Sequence, residues 1–387
     1  MRVLQVGESL AVEYGGTAAA CAELTNQLAQ SGVDVSLITL GGSNGSGPTL
    51  PLDPAVAATV CMPAAPRRLG YCPGMPEILE SLAPQDLVHV HGLWRLHYLQ
   101  SARFARARSI PVVVSVHGML LGGALRQRAA LKRVERWLFQ DALLRRARCL
   151  HATSCAEAEA IRRLGFQGPI AVVPWGVHPP DASSSPPRSL ASDTPSHRVI
   201  LYLGRLHPTK GLEPLLRAWA QVHEQFGSWH LVVAGYDEGA YRSTLVALAT
   251  ALGMTATVTF AGPAQGSARE QLFADASLVV TPSPAENFGF VVPEALVRGI
   301  PVIATQGAPW SSLAAEGCGW WVPPGESSLA AALAEALSQS PTTLREMGEQ
   351  GRRLVRDHYT WDRVATSMLE LYEWTLGQRG EPAFLQR

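Results

Sequence analysis

Glu286 and Glu294 lie eight positions apart in the stretch Pro284-Ala-Glu286-Asn-Phe-Gly289-Phe-Val-Val-Pro293-Glu294-Ala. Glu286 sits in a Ser/Pro/Gly loop just after an apolar run, Leu278 to Thr281, that reads as a strand. Glu294 opens a short helix expected to end at Gly299, before the next strand, Pro301 to Ala304. A loop at the carboxyl end of a parallel strand, feeding a helix N-terminus, is where open α/β sheets bind ligands. Such helix ends favour anions, because their first N–H groups are unpaired and the dipole is positive there. Two carboxylates flanking an anion site suit a ligand with phosphates between hydroxyl-rich rings, one acid for each ring's diol.

In the same half of the chain, Gly204-Arg205-Leu-His207-Pro-Thr-Lys210-Gly211 follows another strand-like run, Val199 to Leu203. Gly204 permits a sharp turn. Arg205 and Lys210, five positions apart, then project from the strand end and its loop, placed to neutralise two phosphates. An ordinary turn with solvated cations is the plain alternative. Taken with the glutamate pair, the cations favour a diphosphate flanked by polyols, which is the shape of a nucleotide-sugar.

The first half offers fainter signals. Glu13-Tyr-Gly15-Gly16-Thr17 follows the first strand and opens the first helix, and its glycines would let a phosphate or sugar approach the helix N–H groups. It is neither a Gly-x-Gly-x-x-Gly fingerprint nor a Walker sequence. His117 ends the strand Val112–Val116 and precedes Gly118-Met119-Leu120. A histidine there can hydrogen-bond a sugar hydroxyl or a developing charge, or be simply a polar strand terminus. His89, His91 and His97 gather near another strand end, without the acidic or cysteine cluster that metal binding would need, so no metal is expected. Arg126 to Arg146 is basic and amphipathic, able to rest on an anionic bilayer or receive a lipid-diphosphate, with a solvated helix face as the alternative. Trp310, Trp320 and Trp321 crowd Pro309 and Gly319, where core packing competes with stacking on a sugar or base.

These residues need a scaffold, and the apolar pattern supplies one. Runs at Val3–Val6, Asp34–Thr39, Leu87–His91 and Val112–Val116 alternate with helical patterns, the first near Thr17–Ser31 with Ala20, Leu24 and Leu28 on one face. A second series runs through Val199–Leu203, His230–Ala234, Thr257–Phe260, Leu278–Thr281 and Val302–Ala304. Strands alternating with helices imply right-handed crossovers and parallel sheets. The Pro/Ser-rich stretch 179–197 has linker composition. The expected organisation is therefore an N-terminal α/β domain over 1–178, a linker over 179–197 and a second α/β domain over 198–360. A final helix over 361–377 carries an apolar stripe of Trp361, Val364, Ala365, Met368 and Tyr372.

At 387 residues the chain suggests two domains. Zero formal net charge gives no electrostatic case for nucleic acid. The apolar runs are strand-length, which argues against a spanning helix. Met1 to Glu8 shows no secretory pattern, and the six cysteines have no metal-type spacing, so a reduced, cytoplasmic setting is expected.

The combination resembles the retaining glycosyltransferases of family four, whose GT-B fold sets two facing Rossmann-like domains of parallel sheet beside a C-terminal crossover helix. The resemblance runs through the Gly15-Gly16 loop, the strand leading to His117, Val173-Pro-Trp175-Gly176-Val177 and Gly204-Arg205…Lys210-Gly211. It continues through Ala234-Gly235, the Glu286-to-Glu294 motif, Gly299-Ile-Pro301-Val and Tyr359-Thr-Trp361. The resemblance implies transfer of a sugar from a nucleotide-sugar, a substrate rather than a cofactor, to a glycan or lipid-linked acceptor. It implies too that 1–178 is the acceptor-side domain and 198–360 the nucleotide-sugar-binding domain. Arg205 and Lys210 would hold the diphosphate and stabilise the leaving nucleotide, so no divalent metal is required. Glu294 would take the ribose hydroxyls. Glu286 would contact the donor sugar, with the backbone of Asn287, Phe288, Gly289 and Phe290 closing over sugar and phosphate. Gly16 would approach the diphosphate and His117 would hydrogen-bond the transferred sugar. The leaving diphosphate itself would deprotonate the acceptor, a front-face mechanism that retains configuration, so Glu286 is not assigned as nucleophile.

Departures from the family pattern are Trp175 where Asn is common, Thr209 where a second Lys is frequent, and Ala308-Pro-Trp310-Ser with Cys318-Gly-Trp-Trp321. The Ala308 and Cys318 segments, together with Gly118-Met-Leu, resemble the subgroup acting in exopolysaccharide, O-antigen or capsule assembly, at the inner face of a membrane. Competing readings are the same fold acting on a small soluble acceptor, a non-catalytic nucleotide-sugar binder, and a Rossmann dehydrogenase, the last disfavoured by the missing nicotinamide fingerprint.

Overall fold

The computed structural model describes residues 1–11, 14–41, 49–180 and 198–387. Glu13 of the first glycine loop and residues 181–197 of the expected linker lie outside the described residues. The chain divides into two compact units, one made of Met1–Gly176 with Trp361–Arg387, the other of Val177–Thr360.

The first unit is built on β1 (Arg2–Val6), β2 (Asp34–Leu40), β3 (Ala57–Cys61), β4 (Leu87–His91), β5 (Val112–Ser115), β6 (Cys149–Ala152) and β7 (Ile170–Val172). The second holds β8 (Arg198–Leu203), β9 (Trp229–Ala234), β10 (Val258–Gly262), β11 (Ala276–Thr281), β12 (Val302–Thr305) and β13 (Gly319–Val322). A short β14 (Leu385–Gln386) returns to the first sheet and pairs antiparallel with β7. Spatial order is β14-β7-β6-β5-β4-β1-β2-β3 in one sheet and β10-β9-β8-β11-β12-β13 in the other. Apart from β14, every strand pair is parallel. Both sheets therefore run outward in two directions from a central strand, and the order reverses between β1 and β4 and again between β8 and β11. Loops at the carboxyl ends of those strands border the crevice that such a reversal opens.

The central strands are buried on both faces, as parallel sheets under helices must be, while the edge strand β3 is mostly exposed and the edge strand β10 partly so. β1, β4 and β5 bury Leu4, Val6, Val88, Val90, Val112 and Val114 in one core. β8, β9 and β11 bury Ile200, Leu231, Val233, Leu278 and Val280 in the other, against Leu215, Leu216 and Trp219 of the helix Leu212–Val222.

The final helix, Trp361–Thr375, belongs to the first unit and packs on the helix Gly16–Gln30. Its stripe of Trp361, Val364, Ala365, Met368 and Tyr372 is buried. Gly176 makes the approach possible, since a Cβ there would lie 2.7 Å from the Trp361 Cα.

One expectation needs correcting. The basic stretch from Arg126 is not a continuous helix. It comprises Gly122–Arg126, Ala129–Glu135, a π-helical turn at Arg136–Gln140, and Asp141–Arg146. Gln127 is extended and Arg128 left-handed, with φ 53°, which breaks the first pair. The bend lets Lys132 Nζ donate to the Ala124 carbonyl at 2.6 Å, and the Arg136–Asp141 pair at 2.9 Å spans the π turn.

Candidate active site

In the second unit, the loop after β8 and the loop after β11 meet. Lys210 ends the short turn Pro208–Lys210, and its Nζ donates to Glu286 Oε1 at 2.6 Å, each side chain about one-fifth exposed. Three glycines allow this. Gly211 has φ +73°, and a Cβ there would overlap the Pro282 carbonyl. Gly235, at the end of β9, packs against the Gly204 backbone with no room for a side chain. Gly307 sits against the Ser283 and Pro284 backbone, and its carbonyl accepts from Glu286 N at 2.7 Å. Tyr202 donates to the Arg205 carbonyl at 2.9 Å, and burial, with Glu286 nearby, pushes its phenol well above the usual range.

Arg205 turns elsewhere: its guanidinium meets Glu238 at 2.5 Å on the exposed surface. Glu294 lies in the first turn of the helix Val291–Val297 and accepts from Arg269 Nη2 at 2.6 Å. Arg298 donates to the Glu294 carbonyl at 2.8 Å and chelates Glu270, which braces the same helix.

Between the two glutamates, Gly289 takes φ +78°. Phe288 is buried against Phe290, Trp310 and Tyr359, and Trp310 Nε1 donates to the Phe288 carbonyl at 2.5 Å. Trp310 is thus core packing that also pins the loop. Trp321 Nε1 does the same one loop further on, donating to the Ala308 carbonyl at 2.8 Å. Arg269, Gly307 and the Trp310 indole N–H were not legible as site residues. A lone Arg, a Gly in Thr-Gln-Gly-Ala and a Trp carry no local signal of the contact each makes.

In the first unit, Gly15 has φ 66° and precedes the helix Gly16–Gln30, which has no side-chain N-cap. The first N–H groups at Gly16 are therefore left for a ligand or water. A cavity of about 90 Å³ beside them is lined by Glu8, Ser9, Tyr14, Thr17, Ala18, Cys21, His91 and Met119.

His117 follows β5 in a left-handed conformation, φ 49°, and Gly118 follows at φ 72°. Non-glycine residues rarely adopt this backbone unless their surroundings hold them there. The hold is Glu157, a buried carboxylate that accepts from Gly118 N and from both Thr153 N and Thr153 Oγ1 at 2.7 and 2.9 Å. Burial raises its pKa against those three hydrogen bonds. The His117 ring stacks on Trp175 at 5.4 Å and lies 3.3 Å from His91.

His91, His89 and His151 complete a buried imidazole cluster that the sequence showed only in part. Desolvation, reinforced by neighbouring imidazoles, pushes His117 down to about 3, and holds His89 and His91 well below their usual value. Desolvation brings His151 to about 4 against its bond to the Val173 carbonyl. His97 stands apart, its Nε2–H donating to the Gly7 carbonyl at 3.1 Å. The site residues thus fall into two groups by unit: Arg205, Lys210, Glu286, Asn287, Phe288, Gly289, Phe290 and Glu294 in one, Gly15, Gly16 and His117 in the other.

Two parallel-sheet α/β units of this strand order define a GT-B protein. The family Glycosyl transferases group 1 matches residues 191–354, and the family Glycosyl transferase 4-like domain matches residues 15–176. The D-inositol 3-phosphate glycosyltransferase of Rhodococcus erythropolis is 28% identical over 89% of this chain and 83% of its own. The GDP-mannose:cellobiosyl-diphosphopolyprenol alpha-mannosyltransferase of Komagataeibacter xylinus is 26% identical over 98% of this chain and 94% of its own. Among solved structures, Anabaena HepE in complex with UDP-glucose superposes with TM-score 0.72 at 19% identity, over 97% of this chain and 100% of that one. Two glycosyltransferase domains, 4-like over residues 15–176 and group 1 over residues 191–354, thus account for most of the chain.

Proposed function

We propose that this glycosyltransferase moves a sugar from a nucleotide-diphosphate sugar to a hydroxyl of a glycan or lipid-linked oligosaccharide in polysaccharide biosynthesis, with retention and without a metal. The observation that carries the reading is the Lys210–Glu286 pair at the β8/β11 reversal, flanked by Arg205 and Glu294. Lys210 and Arg205 would exchange their carboxylate partners for the diphosphate. They then stabilise charge that grows only as the nucleotide leaves, which is the interaction that raises kcat. Glu286, released from Lys210, takes a hydroxyl of the sugar, and Glu294 takes the ribose diol while Arg269 orients its carboxylate. Gly16 receives phosphate oxygens at its helix end and His117 takes a sugar hydroxyl. The HepE complex with UDP-glucose supports a donor of this class.

On the acceptor side, a cavity of about 290 Å³ in the first unit is lined by Arg68, Arg95, Arg128 and Lys132 with Glu8, Glu135, Trp94 and Leu131. Four cations against two carboxylates suit a phosphate-bearing acceptor, and both named relatives carry phosphate in the names of their acceptors. Beside it, Leu131, Val134, Trp137 and Leu138 are exposed, Trp137 to 81%, among exposed Arg126, Arg128 and Arg133. Exposed Trp and Leu among arginines is the composition of a surface that rests in an anionic bilayer interface. No helix among the described residues is long and apolar enough to cross a membrane. The exposed basic and apolar patch favours a lipid-linked acceptor at the inner face of a membrane over a soluble sugar phosphate. Neutralising Arg126, Arg128, Lys132 and Arg133 together separates the two, because only the first requires binding to anionic liposomes.

The donor is tested by incubating the protein with UDP-, GDP-, ADP- and dTDP-sugars and membrane extract, with and without EDTA. Nucleotide release from one donor, unchanged by EDTA, is expected. Release abolished by EDTA would overturn metal independence, and no release from any donor would overturn the donor class.

A further inference from the structure

Eight residues of the first unit form a single file of hydrogen bonds ending at His117. His151 Nε2 meets the Val173 carbonyl at 2.8 Å, and its Nδ1 meets Ser115 Oγ at 2.6 Å. Ser115 Oγ lies 2.7 Å from His89 Nε2, and His89 Nδ1 lies 2.6 Å from the Tyr372 hydroxyl. Gln5 continues the file, with Nε2 3.1 Å from that hydroxyl and Oε1 2.5 Å from His91 Nε2. His91 Nδ1 then lies 3.3 Å from His117 Nε2. All of these side chains are buried.

A neutral imidazole offers one donor and one acceptor, so neutral rings in file must all point the same way. The Val173 carbonyl chooses the direction, because it can only accept. His151 therefore carries its proton on Nε2 and accepts at Nδ1 from the Ser115 hydroxyl. Ser115 accepts from His89 Nε2–H, and His89 Nδ1 accepts from the Tyr372 hydroxyl. The Gln5 amide donates to the Tyr372 oxygen, and its carbonyl accepts from His91 Nε2–H. His91 Nδ1 is left to accept from His117 Nε2–H. The reverse direction sets two acceptors face to face at Val173, a buried mismatch that costs a full desolvation penalty. Burial keeps the four rings neutral, which is the condition the direction needs.

We propose that this one-way file fixes His117 as its Nε2–H tautomer, so that Nδ1, which makes no hydrogen bond among the described residues, presents an acceptor to a substrate hydroxyl. Tyr372, on the final helix, is the positioning residue that carries the direction from His89 to Gln5. The substrate half of the proposal rests on the reading of His117 as a sugar contact given above. It adds a rule of specificity: the group facing His117 must be a donor, so a free hydroxyl passes where a fluorine or an ether oxygen fails.

The test uses full-length protein labelled with 15N-histidine, in wild type, Tyr372→Phe and Ser115→Ala, with the His117 signals assigned by His117→Gln. The wild type should show the Nε2–H form preferred by more than about tenfold, the scale that one misdirected buried hydrogen bond sets. Either substitution cuts the file from its carbonyl anchor and should bring the two tautomers within about threefold of each other. An Nδ1–H form in the wild type, or an unchanged preference in both folded variants, would overturn the file. The second arm compares UDP-glucose and GDP-mannose, whichever is turned over, with their monodeoxy and deoxyfluoro analogues. At one position fluorine should rescue nothing over hydrogen, and His117→Ala should erase that position's effect. Rescue by fluorine would overturn the acceptor role. An intact tautomer with no position responding to His117→Ala would overturn the sugar contact while leaving the file in place, which separates the two failures.

Discussion

The two α/β units share a strand order and a reversal point, yet they load that point with opposite electrostatics. In the second unit it carries ion pairs that are one-fifth exposed or more, Lys210–Glu286 and Arg205–Glu238, with Arg269–Glu294 nearby. In the first it carries neutral, buried imidazoles joined to Ser115, Gln5 and Tyr372. Charges that stay near water can trade partners when an anion arrives, since partly exposed pairs hold each other weakly. Buried neutral groups cannot trade, because an unpaired one is costly, but they fix a geometry well. The same scaffold thus yields one site suited to receiving charge and another suited to orienting a hydroxyl.

The comparison breaks most readily at Lys210. Lys210→Ala should lower kcat for nucleotide release by about 10²- to 10³-fold, the cost of removing one group aimed at developing charge. A variant that raised KM alone would show that Lys210 serves binding and leave the transition state to others.

Next comes the loop beneath it. Gly307→Ala drives a Cβ into the Ser283 and Pro284 backbone and must displace Glu286. We expect a loss of about 1–3 kcal/mol in denaturant unfolding and at least a tenfold drop in kcat/KM, roughly the scale set by overpacking and by misplaced catalytic groups. A His117→Ala protein should keep the second unit's nucleotide binding intact, which sharpens the division of labour.

The imidazole cluster predicts the sign of acid sensitivity. His117 and His151 bind protons in the unfolded chain below about pH 6.5, but in the folded protein only near 3 and 4. The unfolded state therefore holds more protons between those values, and stability falls as pH drops through that window. The slope is about 1.4 kcal/mol per pH unit for each ring that stays neutral. Urea unfolding at pH 7, 6 and 5 measures it, and stability that is flat over this range would contradict the buried neutral cluster.

The smallest effect is at the surface. Trp137→Ser should leave stability within about 0.5 kcal/mol, as exposed substitutions do, while weakening binding to anionic vesicles by a few-fold.

The sequence made much of this visible, for reasons that individual residues explain. Leu278–Thr281 and Val199–Leu203 are long, uniformly apolar runs, so their parallel, doubly covered strands could be read directly. Ala57–Cys61 is mostly exposed, Ile170–Val172 has three residues, and Cys149–Ala152 contains a buried His, so none of these three strands shows a strong period. Lys210 and Glu286 were legible because charge beside glycine and a strand end is uncommon without a use. Gly307 was not, and Trp310 was legible as packing but not as a donor to the loop, because each acts through a backbone contact that only the folded loop creates. The break at Arg128 escaped as well, because a left-handed backbone at a non-glycine residue is written in no local signal.

The central claim is that the charged second unit holds the nucleotide. Calorimetric titration of UDP, GDP, ADP and dTDP into wild type, Lys210→Ala and Glu294→Ala tests it most directly. We predict that one nucleotide binds, and that each substitution weakens it about tenfold or more, as loss of a charge-assisted hydrogen bond should. Equal affinity in all three proteins would place the nucleotide elsewhere and contradict the account.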